Sequence, residues 1–345
     1  MRRTAGWAAL VALVVGLGAG DGWARQTNGN PAYTRTRINR AIELLEAGQF
    51  IFGATARGGS GYKEGLQLAQ TGADYITYEM ENDLFDLAAL RQFMEGLVAG
   101  GPTRTGHATP AVIVTLPVLG MDEEGIRANY WMIHQTLSTG VHGILLCHAR
   151  DPKAVERFVA STRYPFARRE LGAVPLPEGT RGGGSQTFAA KIWGITPNQY
   201  LDVADPWPLN PKGELLLGMK LEDKYAAADA SRLAAVPGVA FAEWGPNDMT
   251  LSVLGLDNIR AGGTRTGPPG SPPPVQTGFG PLHPELAKAR TTIFDALKAN
   301  KKFPLDVANN DTIMALIAEG VRVSPAYNEG VAAKARAFLK RQMPY

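Results

Sequence analysis

The chain has 345 residues, a hydrophobic fraction of 45% and a formal net charge of +3. That length is enough for one large α/β domain or two small ones. The charge is too balanced, and the basic residues too scattered, to indicate a protein that binds nucleic acid. The only cysteine, Cys147, excludes an intramolecular disulfide, and its place in an apolar run predicts a buried free thiol.

The N-terminus has the features of a secretory signal peptide. Arg2 and Arg3 precede an apolar run over 8–20, and a small-x-small cleavage pattern ends at Ala24. The run is too short and too rich in glycine for a convincing membrane span. The sequence therefore predicts a signal peptide over 1–24 and an exported protein, periplasmic or secreted, with no stable membrane insertion after cleavage. An uncleaved membrane anchor is the alternative.

Helices and strands are predicted to alternate from the amphipathic helix at 37–47 to the end of the chain. Mostly apolar stretches predict eight strands, at 50–53, 74–78, 111–115, 143–147, 215–222, 239–248, 303–308 and 321–324. Helices are predicted between and after them, at 62–70, 84–98, 126–137, 154–161, 223–235, 283–300, 311–319 and 329–341. Eight strands that alternate with helices indicate an α/β protein with a (β/α)8 TIM barrel.

Two irregular stretches interrupt the alternation. The stretch near 162–213 contains a run of glycines, and the stretch at 262–281 is rich in glycine and proline. The second is predicted to be a surface loop or lid, because the alternation of helices and strands resumes after it. We therefore expect a single barrel domain over 37–345, with an insertion and a long loop.

Polar side chains stand where the predicted strands end, and in a TIM barrel these ends form the functional face. Two of them, Glu222 and Asp248, each end a buried apolar stretch. An unpaired carboxylate in such a place is costly, so the pair indicates a shared cation. The alternative is that each carboxylate caps the helix that follows it. The other polar residues at strand ends are Glu79, Glu81, Thr115, His148 and Lys220.

The segment 244–252 resembles the metal-binding segment of the HpcH/HpaI aldolases, metal-dependent enzymes that cleave 4-hydroxy-2-oxo acids and are related to the citrate lyase β subunit. The family pattern Gly-Pro-x-Asp-Leu-Ser is close to Gly-Pro-Asn-Asp-Met-Thr at 245–250. The family has the sequence Gln-x-Glu at the end of the preceding strand, and this chain has Lys220-Leu221-Glu222 in that place. The family signature Thr-Arg-Tyr-Pro-Pro-Glu-Gly-x-Arg-Gly is similar to 162–165 and 177–182, split by an insertion. The resemblance spans 42–339.

The resemblance implies a barrel of the phosphoenolpyruvate/pyruvate superfamily type, in which Glu222 and Asp248 bind Mg²⁺ or Mn²⁺. It implies a carbon–carbon lyase that acts on a small 2-oxo or hydroxy acid through a metal-stabilised enolate. It also implies a homo-oligomer in which the last helix is exchanged between subunits. Substrate contacts are expected from Thr115, Arg181, Lys220, Gly245, Pro246 and Asn247.

The chain departs from the family where protons are transferred. Asn82 stands in place of the family's catalytic histidine, Thr115 in place of an arginine, and Lys220 in place of a glutamine. The candidates for proton transfer are therefore His148, since histidine is the side chain whose ordinary pKa is closest to neutrality, and the pair Glu79 and Glu81. Arg150 is the candidate replacement for the missing arginine.

These residues leave three hypotheses. The first is an exported, metal-dependent lyase of the aldolase type. The second is a barrel that retains its metal site but has lost catalysis, and that binds a carboxylate ligand. The third is a different metal-assisted reaction, such as hydrolysis or decarboxylation, that uses Glu79, Glu81 or His148.

Overall fold

The computed structural model of the chain describes residues 33–167, 175–255 and 282–345. Its strands run in the order β4-β3-β2-β1-β9-β8-β7-β6-β5, and an additional pairing of β4 with β6 closes eight of them into a parallel barrel. The predicted (β/α)8 fold is confirmed. The strands are β1 Ile51–Arg57, β2 Tyr75–Glu79, β3 Ala111–Leu119, β4 Gly143–Cys147, β5 Pro206–Trp207, β6 Leu215–Lys220, β7 Phe241–Glu243, β8 Phe303–Leu305 and β9 Val323–Ser324.

The helices surround the barrel, and β5 is a short addition that pairs with β6. Helices are α1 Arg40–Glu46, α2 Tyr62–Leu68, α3 Leu87–Ala99, α4 Glu123–Ser138, α5 Pro152–Ser161, α6 Gln186–Trp193, α7 Pro197–Val203, α8 Lys224–Ala228, α9 Ala230–Ala235, α10 Pro246–Leu254, α11 Pro284–Ala299, α12 Ile313–Glu319 and α13 Glu329–Phe338. The stretch predicted as a strand at 239–248 is divided between β7 and α10. The predicted helix at 223–235 is divided into α8 and α9.

Side chains that alternate along the strands fill the barrel in layers. Because successive side chains of a strand point to opposite faces, Tyr75, Thr77 and Glu79 all face the interior. The lower layer is apolar and packs against α1, whose buried residues close the bottom of the barrel. The register places Glu79 beside Thr115 and Lys220 beside Glu243. The upper layer is therefore polar, at the end of the barrel where the strands finish.

A second and larger apolar core lies between the outer faces of the strands and the surrounding helices. Within the described residues, no helix is long and apolar enough to cross a membrane. The predicted signal peptide at 1–24 and the Gly/Pro-rich loop at 262–281 lie outside the described residues. Export and cleavage remain predictions.

Candidate metal centre at the barrel mouth

The barrel mouth opens into a cavity of about 200 Å³ inside the sheet. Its floor is apolar, with Tyr75, Ile113, Leu145, Phe241 and Leu305. Its upper wall is polar, with Thr55, Thr77, Glu79, Thr115, Lys220 and Glu243. A concave site with an apolar base and a few converging polar groups is the usual form of a binding site for a small molecule.

Glu81, just beyond the end of β2, is held between two nitrogen groups. Its Oε2 accepts a hydrogen bond from Lys220 Nζ at 2.5 Å, and its Oε1 lies 3.1 Å from His148 Nε2. Burial opposes ionisation of this carboxyl, but the contact with His148 and the charge of Lys220 outweigh it and lower the pKa of Glu81 to about 2. Glu81 is therefore a fixed negative charge, unsuited to carrying a proton near neutral pH.

Glu222, just beyond the end of β6, is the buried carboxylate of the mouth, with only 2% of its surface exposed. Its Oε1 accepts a hydrogen bond from the backbone N–H of His148 at 2.9 Å and lies 3.4 Å from Nδ1 of the same residue. Burial raises the pKa of Glu222, because it disfavours the charged form. A cation at this carboxylate would offset that cost.

His148 lies between the two carboxylates, with one ring nitrogen directed to each. Its hydrogen bond to Glu81 raises the pKa of the imidazole. The backbone of His148 is in the left-handed region, with φ of 48°, which is uncommon for a residue with a side chain. This conformation presents the backbone N–H and the ring of one residue to the same carboxylate.

Glu81, His148 and Glu222 each offer one ligand atom, and these three atoms lie within 4.8 Å of one another. Two carboxylate oxygens and one imidazole nitrogen are a donor set that suits a divalent cation. Carboxylate oxygens suit hard cations such as Mg²⁺ and Mn²⁺, and an imidazole nitrogen is a common ligand of divalent transition metals. The residues present therefore fit the metal that the resemblance implies, with a ligand set that differs from the predicted one.

The predicted second ligand, Asp248, does not belong to this group of three. It lies in the first turn of α10, near enough for its charge to contribute to the raised pKa of His148. Gly245 brings the start of this helix against Glu222, because a Cβ at Gly245 would lie 2.2 Å from the Glu222 Cβ. Gly245 has a φ of 50°, which glycine adopts without strain. Pro246 and the exposed Asn247 follow it as the first residues of α10.

Two other predicted residues of the mouth serve the backbone of the loop after β2. Glu79 Oε1 accepts hydrogen bonds from the backbone N–H groups of Glu81 at 2.8 Å and Asn82 at 3.1 Å. Thr115 Oγ1 accepts one from the backbone N–H of Met80 at 3.1 Å. Glu79 and Thr115 also line the interior cavity. They therefore both hold the backbone around Glu81 and face the cavity.

The structure does not bring Arg181 to the mouth. Its guanidinium is buried, donates to the Tyr200 hydroxyl at 3.0 Å and stacks on the Tyr164 ring at 4.4 Å. Arg150 also faces elsewhere, with Nη1 3.6 Å from Asp223 Oδ2. Within the described residues, the contacts of Arg181 are those of a residue that joins two parts of the insertion, the segment at 162–164 and α7. Its predicted role in substrate binding has no support from these contacts.

Sequence reasoning missed Glu243, the last residue of β7. Its side chain lines the cavity beside Lys220. Burial, reinforced by the charges of Glu222, Asp306 and Glu81 and opposed by Lys220, raises the pKa of Glu243 to about 7. The signal was present, because Phe241 and Glu243 alternate onto one face of the strand. If 239–248 is taken as one strand, Asp248 is its last residue, whereas the strand ends at Glu243.

No family model matches the sequence, and a search of curated proteins finds no match. Solved structures do match. One is an HpcH/HpaI aldolase/citrate lyase family protein from Burkholderia cenocepacia J2315, at 19% identity and a TM-score of 0.60, covering 87% of this chain and 96% of that one. The chain has the fold of that family. An HpcH/HpaI aldolase from Desulfitobacterium hafniense DCB-2 gives 15% identity and a TM-score of 0.57 over 87% and 95%. Macrophomate synthase gives 18% identity and a TM-score of 0.56, covering 91% of this chain and 95% of that one.

Proposed function

We propose that the chain is a metal-dependent carbon–carbon lyase that acts on a small 2-oxo or hydroxy acid. The observation that carries this proposal is the convergence of Glu81, His148 and Glu222 at the mouth of the barrel. The fold is shared with proteins described as aldolases and synthases. The cavity inside the sheet has room for a molecule of a few carbon atoms, and Lys220, which lines it, also contacts Glu81.

A divalent cation bound by these residues would supply Lewis acidity toward the carboxylate and keto oxygens of the substrate. Glu81, Glu222 and a neutral His148 would hold it, with Lys220 keeping Glu81 ionised and in place. Backbone N–H groups at the start of α10 would donate to the substrate carboxylate, as helix N-termini do for anions. Of the two cations that the resemblance implies, Mn²⁺ is the transition metal and accepts the imidazole ligand more readily.

Proton transfer falls to Glu243 in this proposal. Glu81 is fixed as an anion, and a His148 that holds the cation is not free to carry a proton. Glu243 faces the cavity, and its pKa of about 7 allows it to accept and return a proton near neutral pH. It would take the proton of the 4-hydroxyl group as the C3–C4 bond breaks. It would then deliver that proton to C3 of the departing 2-oxo acid.

The second candidate is a barrel that binds a carboxylate ligand without turnover. Asn82, in the place of the family's histidine, is exposed, and its backbone N–H is used by Glu79. The Thr115 side chain bonds the backbone of Met80 and carries no charge toward a substrate carbonyl. In this case the mouth would recognise a carboxylate through the cation and Lys220, and Glu243 would have no proton to transfer.

The test is pyruvate release from a panel of 4-hydroxy-2-oxo acids by protein stripped of metal and resupplied with Mn²⁺. We expect release that requires metal, falls by about 100-fold in Glu222→Gln, and falls by roughly 100-fold or more in Glu243→Gln. Glu124→Gln, at a surface position with a side chain 86% exposed, is the matched control and should match the parent protein. Metal-dependent ligand binding without release across the panel would favour the second candidate.

A further inference from the structure

Three arginines converge on a single buried carboxylate at the start of β2. Asp74 Oδ1 lies 2.7 Å from Arg341 Nη1, 3.2 Å from Arg336 Nη2 and 3.4 Å from Arg40 Nη2. The other oxygen, Oδ2, accepts a hydrogen bond from the backbone N–H of Phe52. Arg40 and Arg336 are nearly inaccessible, at 3% and 4% exposure. One negative charge therefore faces three positive charges.

Burial and the excess of positive charge together lower the pKa of an arginine within the cluster. Burial, together with the charges of Arg341 and Arg336, outweighs Asp74 and lowers the pKa of Arg40 to about 10. Among the described residues, Arg40 Nε and Arg336 Nε also lack hydrogen-bond partners. Uncompensated buried charge and unpaired donors both cost free energy, and a bound anion would reduce the charge imbalance.

A cavity of about 470 Å³ adjoins the cluster. It is lined by Arg40 and Arg336 and by a third arginine, Arg104, which is exposed. Glu329 is the sole carboxylate side chain among the described residues that line it. Hydroxyl and amide groups of Gln70, Thr71, Thr103 and Tyr327 complete the polar part of the wall. Its composition is that of a cavity for an oxyanion, since guanidinium groups match carboxylate and phosphate geometry.

Tyr345 forms one wall of the cavity next to the arginines. The Arg336 guanidinium lies 4.7 Å from the Tyr345 ring centroid, and Arg104 Nη1 donates to the Tyr345 main-chain oxygen at 3.2 Å. The same guanidinium contacts Asp74 through Nη2, so it lies between the ring and the carboxylate. The aromatic wall gives the cavity an apolar side for the body of a ligand whose charged groups meet the arginines.

The cavity lies at the opposite end of β2 from the metal centre. Asp74 precedes the first residue of β2, and Glu79 and Glu81 stand at and beyond its last residue. Gly72 and Thr71 belong to the turn that enters the strand. A ligand in this cavity would therefore occupy a site separate from the barrel mouth, and its binding does not depend on the lyase proposal.

We propose that this cavity is a second binding site, for a small oxyanion that carries at least two negative charges. The charged groups of the ligand would be phosphate or carboxylate groups. Arg40, Arg336 and Arg104 bind them, and Thr71 and Thr103 supply neutral hydrogen bonds. Bound anion stabilises the packing of α13 and the chain end against the start of β2, because residues from all three line the cavity.

Thermal unfolding of metal-free, full-length protein tests the site, with inorganic phosphate, pyrophosphate and citrate as probes and sodium chloride at matched ionic strength as reference. A ligand that binds only the folded state raises Tm by about 5 °C at a hundredfold excess over its Kd. We expect a rise with at least one probe beyond that given by chloride. Comparison of pyrophosphate with citrate shows whether the ligand is phosphorylated or carboxylated.

The variant pair Ala333→Glu and Ala333→Gln locates the binding. Ala333 is exposed on α13 and lines the cavity, so neither change disturbs the core. The glutamate places a carboxylate in the cavity. It should raise Tm without ligand and abolish the shift that the probe gives, whereas the glutamine should keep that shift.

Arg104→Ala removes an exposed cation of the cavity and should weaken the probe's binding several-fold. A shift no larger than that of chloride would overturn the proposal, as would a shift that persists in Ala333→Glu. A shift lost in Glu222→Gln but kept in Ala333→Glu would place the anion at the barrel mouth, which also overturns the proposal. Failure of the lyase proposal changes none of these outcomes.

Discussion

The affinity for Mn²⁺ should depend on pH through His148. Its imidazole lies between Glu81 and Glu222, and the hydrogen bond to Glu81 raises its pKa. In the absence of a cation, the protonated ring pairs with both carboxylates. A metal ion must take the place of that proton, because only a neutral imidazole is a ligand. Binding should therefore release one proton at pH values below the pKa of His148.

The size of the effect follows from this exchange. Below the pKa of His148, each unit of pH costs about tenfold in affinity, or about 1.4 kcal/mol. Over two units the loss is about 100-fold. Glu81 adds nothing to the slope near neutral pH, since its pKa is about 2. Because burial raises the pKa of Glu222, its carboxyl would add a second released proton wherever it is protonated in the metal-free protein.

Isothermal titration of Mn²⁺ into metal-free protein, in buffers of different ionisation enthalpy, counts the protons released at each pH. His148→Gln retains a polar side chain of similar reach that does not titrate, so it should bind Mn²⁺ more weakly and with a much flatter pH dependence. Affinity that is independent of pH from 6 to 8 in the parent protein would refute the reasoning. The same slope in His148→Gln would refute it as well.

Three further predictions concern proton transfer and stability. Glu243→Gln should leave Mn²⁺ affinity within about threefold while the pH–rate profile loses its limb near pH 7, which kinetics and titration together would show. Asp74→Asn should cost about 3–5 kcal/mol in urea unfolding, because three buried arginines lose their counter-ion; Asp295→Asn, at an exposed pair, should cost under about 0.5 kcal/mol. Burial opposes ionisation of Glu43, but hydrogen bonds from His107 and Tyr33 outweigh it and lower the pKa of Glu43 to about 2. The ionised Glu43 therefore adds on the order of 2 kcal/mol to the free energy of unfolding above about pH 4.5, and this contribution is lost as pH falls toward 2. In Glu43→Gln the free energy of unfolding should fall less steeply over that acid range.

The barrel is predictable from the sequence because its strands are short apolar runs that alternate with helices. Burial on both faces of a parallel strand leaves a signal that survives without any relative for comparison. The strand-end position of Glu222 followed from the same pattern. The structure shortens several strands, for example from 303–308 to Phe303–Leu305, since apolar composition does not fix where pairing stops.

The composition of the metal centre was less predictable. The sequence places Glu81 and His148 at strand ends, but spacing along the chain does not report which polar residues meet Glu222 in space. That depends on the turn after β2 and on the left-handed backbone of His148. The family signature predicts substrate binding by Arg181, but its guanidinium packs on Tyr164 and bonds Tyr200. A motif conveys residue identity, whereas contacts depend on where the insertion folds.

Diffraction data collected at the manganese absorption edge, from crystals grown with Mn²⁺ and a non-cleavable 2-oxo acid, test the central claim most directly. We predict one strong anomalous peak within coordination distance of Glu81, His148 and Glu222, with the ligand extending from it toward Glu243. A peak bound by Asp248 without His148, or no peak at the barrel mouth at saturating Mn²⁺, would contradict the account.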